Sequence, residues 1–589
     1  MNASTASTAS TASTVDNPAI RLGRPRIPPA RPGQRRLIVD SVLLGVAGAI
    51  AAQLFTLLLH GVNAVMLRGL AGYQAPGLPN EGGTLVEHIG SHGLWLVPVA
   101  TTLGGVIVGL LIAYLAPEAE GHGTDTVVQA FHQKDGGIRA RVGPLKLLAS
   151  AITIGSGGSA GREGPIALVT AAAGSWYATV TGRSARERRL LLLIGMSAGL
   201  SAIFRSPIGC AIMAIEVLYS DMEFEASALL YTMLSAIVAY AVNGFVAGWD
   251  PLFRVPANVG QLESRIHYGW FVVLGIAAGV IGTIFPVTFY WVRDQFRRLP
   301  GPLWIRPALG GLLTGILALG IPEILGGGYG WVQEAIDGRL VGGIFLVLMA
   351  AKIIATSFTV ASGGSGGVFA PSLYVGGMLG GICATVAHEH AAPFVIVGMA
   401  AAFAGAAHVP IASLMMVTEM TGGYSLLVPA ALAVLLSYLV QTRLSERLRY
   451  RSLYEHQVAS RADSPAHHAQ QLTTALRLLR ERSPRALAGI PLGGALDLVS
   501  LLRTGVPIEL PDDYRLTLGV LRPDSECVGR NTRSLNGTLG ASDTEIVAIV
   551  RGEHLIAPTT PTALAAGDRL VLIAPVGATE ALRRHLDPA

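Results

Sequence analysis

The feature that most narrows what this chain can fold into is a repeat of itself. The stretch SGGSAGREGP at 156–165 returns as SGGSGGVFAP at 362–371, an offset of 206, on the same frame of Ser, Gly and Pro. Pro207, Ile208 and Glu216 then match Pro410, Ile411 and Glu419 at an offset of 203. Gly and Ser enrichment inflates the first match, but two independent matches at nearly one spacing mark a duplication. Paired Gly-broken segments in corresponding halves of a chain point to a transport site at the interface of the repeats. The site is therefore expected to be built from both copies.

Around these loops runs a succession of apolar segments, at 37–67, 93–116, 143–154, 164–181, 190–219, 226–247, 268–291, 303–320, 341–360, 370–389, 393–404, 410–420 and 425–441. Several fall well short of the roughly 20 residues a spanning helix needs. Such segments are tolerated at membrane depth only where they are buried in protein or line a wet path. Only 14% of the 589 residues are charged and 51% are hydrophobic, so the surface cannot be mostly wet. The same figures exclude disorder over most of the chain, and three scattered cysteines (Cys210, Cys383, Cys527) suggest neither a disulfide framework nor a metal cluster. A polytopic membrane protein is expected, with no nucleic-acid partner. Residues 1–36 read as a disordered basic tail that stays in the cytoplasm by the positive-inside rule, in preference to a transit peptide or cleavable signal. Residues 459–589 are polar, with strand-like runs EIVAIV (545–550) and RLVLIA (569–574), and read as a separate soluble domain.

Each repeated loop precedes a helix-like apolar run. Pro in a first turn suits a helix start, and Gly leaves backbone N–H groups free to approach a ligand. Two helix N-termini that face each other form an anion site without a bound Lys or Arg, and the ion is then free to leave. Into this place the first copy puts Glu163, where the second has Phe369. A buried acid is costly unless paired or neutralised, so Glu163 reads as a gate that competes with the anion and swings away when protonated. The plainer alternative is an acid paired with its neighbour Arg162. Two further readings are weaker. GSGGSA fits a dinucleotide fingerprint, but no acid follows about 20 residues on. Ser156 or Ser159 with His122 or His408 could form an intramembrane serine protease dyad, which explains neither Glu163 nor the repeat.

At GREGP (161–165) and GVFAP (367–371) the chain resembles the CLC family of chloride channels and proton/chloride antiporters, over roughly 37–458. The resemblance implies an all-α polytopic fold with two inverted repeats (about 37–247 and 268–458), assembled as a homodimer with one anion path per subunit. It implies transport of chloride and other small anions, with no enzymatic activity and no cofactor. Glu163 falls on the family's external gating glutamate. Backbone N–H groups of Gly161, Arg162, Glu163, Val368 and Phe369 would ligate anions, and Tyr454 falls where a tyrosine hydroxyl donates to the central anion.

Two departures matter. The family's first signature loop usually reads GSGIP. Here it is GHGTD (121–125), which puts His122 at a central-anion position and makes affinity or selectivity pH-dependent if the ring faces the ion. In the helix PIGCAIMAIEV, Glu216 matches the first of two family acids, but the intracellular proton-transfer position holds Val217, which cannot relay a proton. This favours a channel-like, proton-gated conductance, with proton-coupled antiport as the alternative. After a linker and partly structured region over 459–512, residues 513–589 resemble an RCK-C (TrkA-C) regulatory domain, carried by Arg551, Gly552, Pro558, Gly567 and Asp568. That resemblance implies a small α+β module that dimerises or binds a small ligand such as cyclic di-AMP. It also implies a bacterial or archaeal inner membrane, with both termini cytoplasmic.

Overall fold

The structure, a computed structural model, describes residues 32–256, 259, 266–466, 508–510, 514–531, 544–551, 554–556, 562–575 and 586–588. Most of the expected basic tail and of the 459–512 linker lies outside these residues, as do Gly552 and Pro558. The first helix starts at Pro32, inside the stretch read as tail, with proline in the first turn where its missing N–H costs nothing.

Among the described residues sixteen α-helices follow one another in two sets of eight. The first set is α1 (Pro32–Asn63), α2 (Val97–Tyr114), α3 (Thr124–Gln133), α4 (Val142–Gly155), α5 (Glu163–Val180), α6 (Ala185–Phe204), α7 (Pro207–Glu216) and α8 (Leu229–Ala247). The second is α9 (Ile266–Arg298), α10 (Ile305–Ala318), α11 (Tyr329–Ile336), α12 (Ile344–Thr356), α13 (Phe369–Ala387), α14 (Ala391–Ala407), α15 (Pro410–Thr421) and α16 (Leu427–Ser445). The order of long and short helices is the same in both, so the duplication read from two loops extends over the helical part. Among the described residues seven helical segments are long and apolar enough to cross a membrane. Helices such as α7, with 10 residues, and α11, with 8, are too short to span and are packed inside the bundle.

The apolar run at 190–219 is not one element. It breaks at Arg205, whose φ of 54° ends α6, and α7 restarts at Pro207. Proline cannot continue a helix, and the residues before it leave the helical region. The second set repeats the device: His408, at φ 59°, ends α14 two residues before Pro410. Arg205 closes its break by donating to the carbonyls of Asp250 (2.9 Å), Asn80 (2.9 Å) and Ala247 (2.7 Å).

The core lies where α5 meets α6 and α13 meets α14, helices apolar on nearly every face, as buried helices are. Glycines bring these backbones together. A Cβ on Gly174 would fall 2.1 Å from the Leu191 carbonyl oxygen, and one on Gly380 would fall 2.0 Å from that of Phe394. Without a hydrophobic force between helices in lipid, such close approach is what holds a bundle.

The segment after α1 carries a small hairpin, β1 (Tyr73–Gln74) with β2 (His88–Ile89). The C-terminal region is a separate antiparallel sheet of β3 (Ile508–Leu510), β4 (Tyr514–Leu521), β5 (Glu545–Arg551), β6 (His554–Ile556), β7 (Arg569–Pro575) and β8 (Leu586–Pro588). The strand order is β3-β4-β7-β5-β6, with β8 on the other part of β4. The two runs singled out from sequence are neighbours, with Glu545 opposite Ile573 and Ile549 opposite Leu570. Arg551 donates to both oxygens of the buried Asp568, at 2.8 and 2.7 Å, which ties the end of β5 to the turn before β7.

Candidate anion site between the repeats

The two signature loops meet residue for residue. Gly161 N–H donates to the Gly367 carbonyl at 2.7 Å, and Gly367 N–H returns the bond to Gly161 at 2.6 Å. These residues are 206 apart and correspond in the two repeats, so the exchange is a local two-fold axis. Gly157 and Gly363, also 206 apart, share a φ of 104° that a side chain rarely adopts. A Cβ on Gly164 would fall 2.0 Å from the His122 carbonyl oxygen, so a third loop, GHGTD, closes against the same junction.

From this bridge α5 and α13 run outward, and both present their N-termini to it. The first-turn N–H groups, from Arg162 and Glu163 on one side and Val368 and Phe369 on the other, have no intrahelical partner. Glu163 is 1% exposed, and its carboxylate lies in the cradle. A Cβ on Gly161 would meet its Oε2 at 1.9 Å and one on Gly367 at 3.4 Å. Its Oε1 accepts from the Tyr329 hydroxyl, and no partner is found for Oε2 among the described residues. Arg162, the alternative partner considered from sequence, turns away and forms an ion pair with Glu81. Phe369 is held by edge and tilted contacts with Phe403 (4.2 Å) and Phe204 (4.4 Å).

Beside the bridge, His122 lies edge-on to Tyr454, with ring centroids 5.4 Å apart, and its buried Nδ1 has no partner among the described residues. Val368, the N-cap of α13, is 2% exposed. The contact that carries Tyr454 to this place has no signal in the sequence. Asp125 accepts the backbone N–H of His456 at 2.8 Å and also bonds its Nδ1, which pins the YEH segment to the GHGTD loop. The hydrogen bond to Asp125 raises the His456 pKa above its ordinary value, against an opposing effect of burial. Ser159 spends its hydroxyl on Thr356 at 3.2 Å and Ser156 on the Thr153 carbonyl at 3.1 Å. Neither serine meets His122 or His408, so the protease dyad is not assembled.

Two buried lysines also lie beyond what the loop motifs reveal. Lys146 donates to the carbonyls of Ala119 (2.9 Å) and Gly121 (2.6 Å), and Lys352 to those of Ile324 (2.8 Å) and Gly326 (2.7 Å). They too are 206 apart, so extending the loop alignment upstream finds them. Each ammonium fastens a Gly-rich loop, GHG at 121–123 or GGG at 326–328, beside the bridge. Glu216 and Glu419 form another matched pair. Glu216 accepts from Ile411 N–H (3.1 Å) and Ala412 N–H (2.7 Å) at the start of α15. Glu419 accepts from Ile208 N–H (3.2 Å), Gly209 N–H (2.9 Å) and the Ser206 hydroxyl (2.5 Å) at the start of α7. Each short helix thus caps the other. Val217, next to Glu216, is fully buried.

A family described as "Voltage gated chloride channel" matches residues 104–442. A "Putative chloride channel protein ClcB-like" from Ralstonia nicotianae is 30% identical over 357 residues, which are 58% of this chain and 82% of the relative. The "H(+)/Cl(-) exchange transporter ClcA" of Salmonella agona is 31% identical over 63% of this chain and 80% of its own length. The "Voltage-gated ClC-type chloride channel ClcB" of Salmonella dublin is 30% identical over 72% and 99% respectively. The fold is similar to that of a CLC-type fluoride/proton antiporter, with a TM-score of 0.61 at 21% identity, covering 72% of this chain and 98% of the other. A slow cyanobacterial chloride/proton antiporter gives 0.58 at 20% identity, over 76% and 99%. Matched over more than half its length, and folded as two repeats that meet at paired helix N-termini, the chain belongs to the voltage gated chloride channel (CLC) family.

Proposed function

We propose that this protein passes chloride and other small anions across a bacterial or archaeal inner membrane along a path gated by Glu163. The observation that carries the proposal is the position of the Glu163 carboxylate in the Gly161–Gly367 cradle, between two helix N-termini from different repeats. A carboxylate there faces the same two positively polarised helix ends that an anion would use. Protonation removes its charge and its claim on the site. Inward of it, His122 and Tyr454 supply the polar groups for a central ion. Chloride efflux from proteoliposomes tests this: the parent should pass chloride more readily in acid, and Glu163→Gln should pass it with no pH dependence. No flux above empty vesicles refutes transport, and an unchanged pH profile in Glu163→Gln refutes the gate.

We read the conductance as channel-like and proton-gated, because Val217 offers no group to carry a proton from the cytoplasmic side. Proton-coupled antiport is the second reading, supported by the exchange transporters among the relatives. A proton gradient that drives chloride uphill at fixed stoichiometry decides for antiport. The path needs no cofactor and performs no catalysis. We further propose a homodimer with both termini cytoplasmic. The C-terminal sheet is proposed as an RCK-C-like module, supported by the Arg551–Asp568 pair and the left-handed Gly567, and a small ligand such as cyclic di-AMP would act on it.

A further inference from the structure

We infer that Tyr329 is the latch of this gate: its hydroxyl holds the Glu163 carboxylate in the cradle, and the bond helps to set the pH at which anions pass. The inference rests on Glu163 being the gate.

Tyr329 begins α11, directly after the GGG loop. Lys352 fastens this loop through the carbonyls of Ile324 and Gly326, just as Lys146 fastens the GHG loop through those of Ala119 and Gly121. The two loops are therefore equivalents in the two repeats, 205 apart, and Tyr329 occupies the place of Thr124. The GHG loop borders the central part of the path. By the same symmetry the GGG loop borders the outer part, and a tyrosine there reaches the gate.

Its orientation is fixed from more than one side. The Arg162 guanidinium lies 5.6 Å from the ring centroid, and the Phe253 ring packs at 5.9 Å. Arg162 is in turn held by Glu81. The charged and titratable groups around the contact are Arg162, Glu81, Lys352 on α12 and, at the inner side, Tyr454. Among the described residues, Tyr329 is the side chain that donates to the carboxylate. A cavity of ≈ 180 Å³ lined by Tyr329, Arg162, Glu81 and Gly327 lies against the tyrosine side of the contact.

A hydroxyl that donates to a carboxylate favours the ionised, latched form. Its removal makes the gate leave at a lower proton concentration. The test is chloride flux against pH in proteoliposomes for the parent, Tyr329→Phe, Glu163→Gln and the double variant. Tyr329→Phe keeps the ring against Arg162 and Phe253 and removes only the donor. Its flux midpoint should move to more alkaline pH by about 1 to 2 units, the size expected for a hydrogen bond to a charged group. In the Glu163→Gln background the same substitution should change nothing. An unmoved midpoint in Tyr329→Phe, with Glu163→Gln pH-insensitive, overturns the latch and leaves the gate standing. A loss of flux of equal size in both backgrounds overturns it as well, because the tyrosine would then act on the scaffold. A Glu163→Gln variant that keeps the parental profile removes the gate, and the latch with it.

Discussion

Exchanging Glu216 for glutamine separates two roles that one carboxylate could have, helix cap or proton carrier. Glu216 sits at the C-terminal end of α7, where its charge is unfavourable to its own helix dipole and favourable to the N-terminus of α15. Both its oxygens accept backbone N–H groups, at 3.1 Å and 2.7 Å. Glutamine keeps one acceptor, loses the charge and points an amide N–H₂ at the second backbone donor. The loss is one charge-assisted hydrogen bond, about 1.5–3 kcal/mol, plus a buried N–H without a partner, about 1–3 kcal/mol. Relief from burying a charge offsets part of this, which leaves about 2–4 kcal/mol of destabilisation. Glu419→Gln should cost at least as much, because it caps α7 from the other repeat with two backbone N–H groups and also accepts the Ser206 hydroxyl. Denaturant unfolding in detergent, followed by tryptophan fluorescence, measures the change. Chloride and proton flux of the folded fraction should stay close to the parent's. A Glu216→Gln protein with parental stability and altered proton movement would refute the cap assignment and restore Glu216 to a proton path.

Lys146→Met and Lys352→Met should each destabilise by about 1–3 kcal/mol and weaken chloride binding measured by titration calorimetry, since two loop carbonyls lose the ammonium as a donor while a buried charge is removed. The larger effect is expected for Lys352→Met, because the Ala119 and Gly121 carbonyls keep the Ser365 hydroxyl (3.1 Å) and Gly366 N–H (3.2 Å) as donors. The Asp125–His456 pair predicts a pH dependence of stability. Its hydrogen bond raises the histidine above its ordinary value, so the contribution is complete below 6.5 and fades as pH rises through the elevated value. Asp125→Asn should remove that fading from the unfolding curves above pH 6.5, and a curve identical to the parent's would count against the pair.

The repeat, the membrane class and the loops that meet are readable in the chain because glycine, proline and an isolated acid are each costly inside an apolar helix, and mark places where the backbone must turn or a polar group is needed. The offset of 206 between the loops names Gly161 and Gly367 as counterparts, and the fold joins those two by reciprocal hydrogen bonds. The strand runs at 545–550 and 569–574 likewise announce themselves by their apolar character between turns. The break at Arg205 is not readable, since 190–219 is apolar almost throughout and only the proline at 207 hints at it. Helices α3 and α11 escape notice because they are short and carry polar residues.

What the chain alone could not decide was partnership. Glu163 stands beside Arg162 in sequence, yet Arg162 goes to Glu81 and the carboxylate goes to Tyr329, 166 residues away. Lys146 and Lys352 gain their meaning only in the fold, where a Gly-rich loop curls around each ammonium. Glu216 reads as half of a proton pair, but the fold spends both of its oxygens on the first turn of α15. Composition and spacing determine which groups must leave water, because that cost belongs to each residue by itself. Which donor meets which acceptor depends on the close approach of backbones from both repeats, and that is settled only when the helices pack.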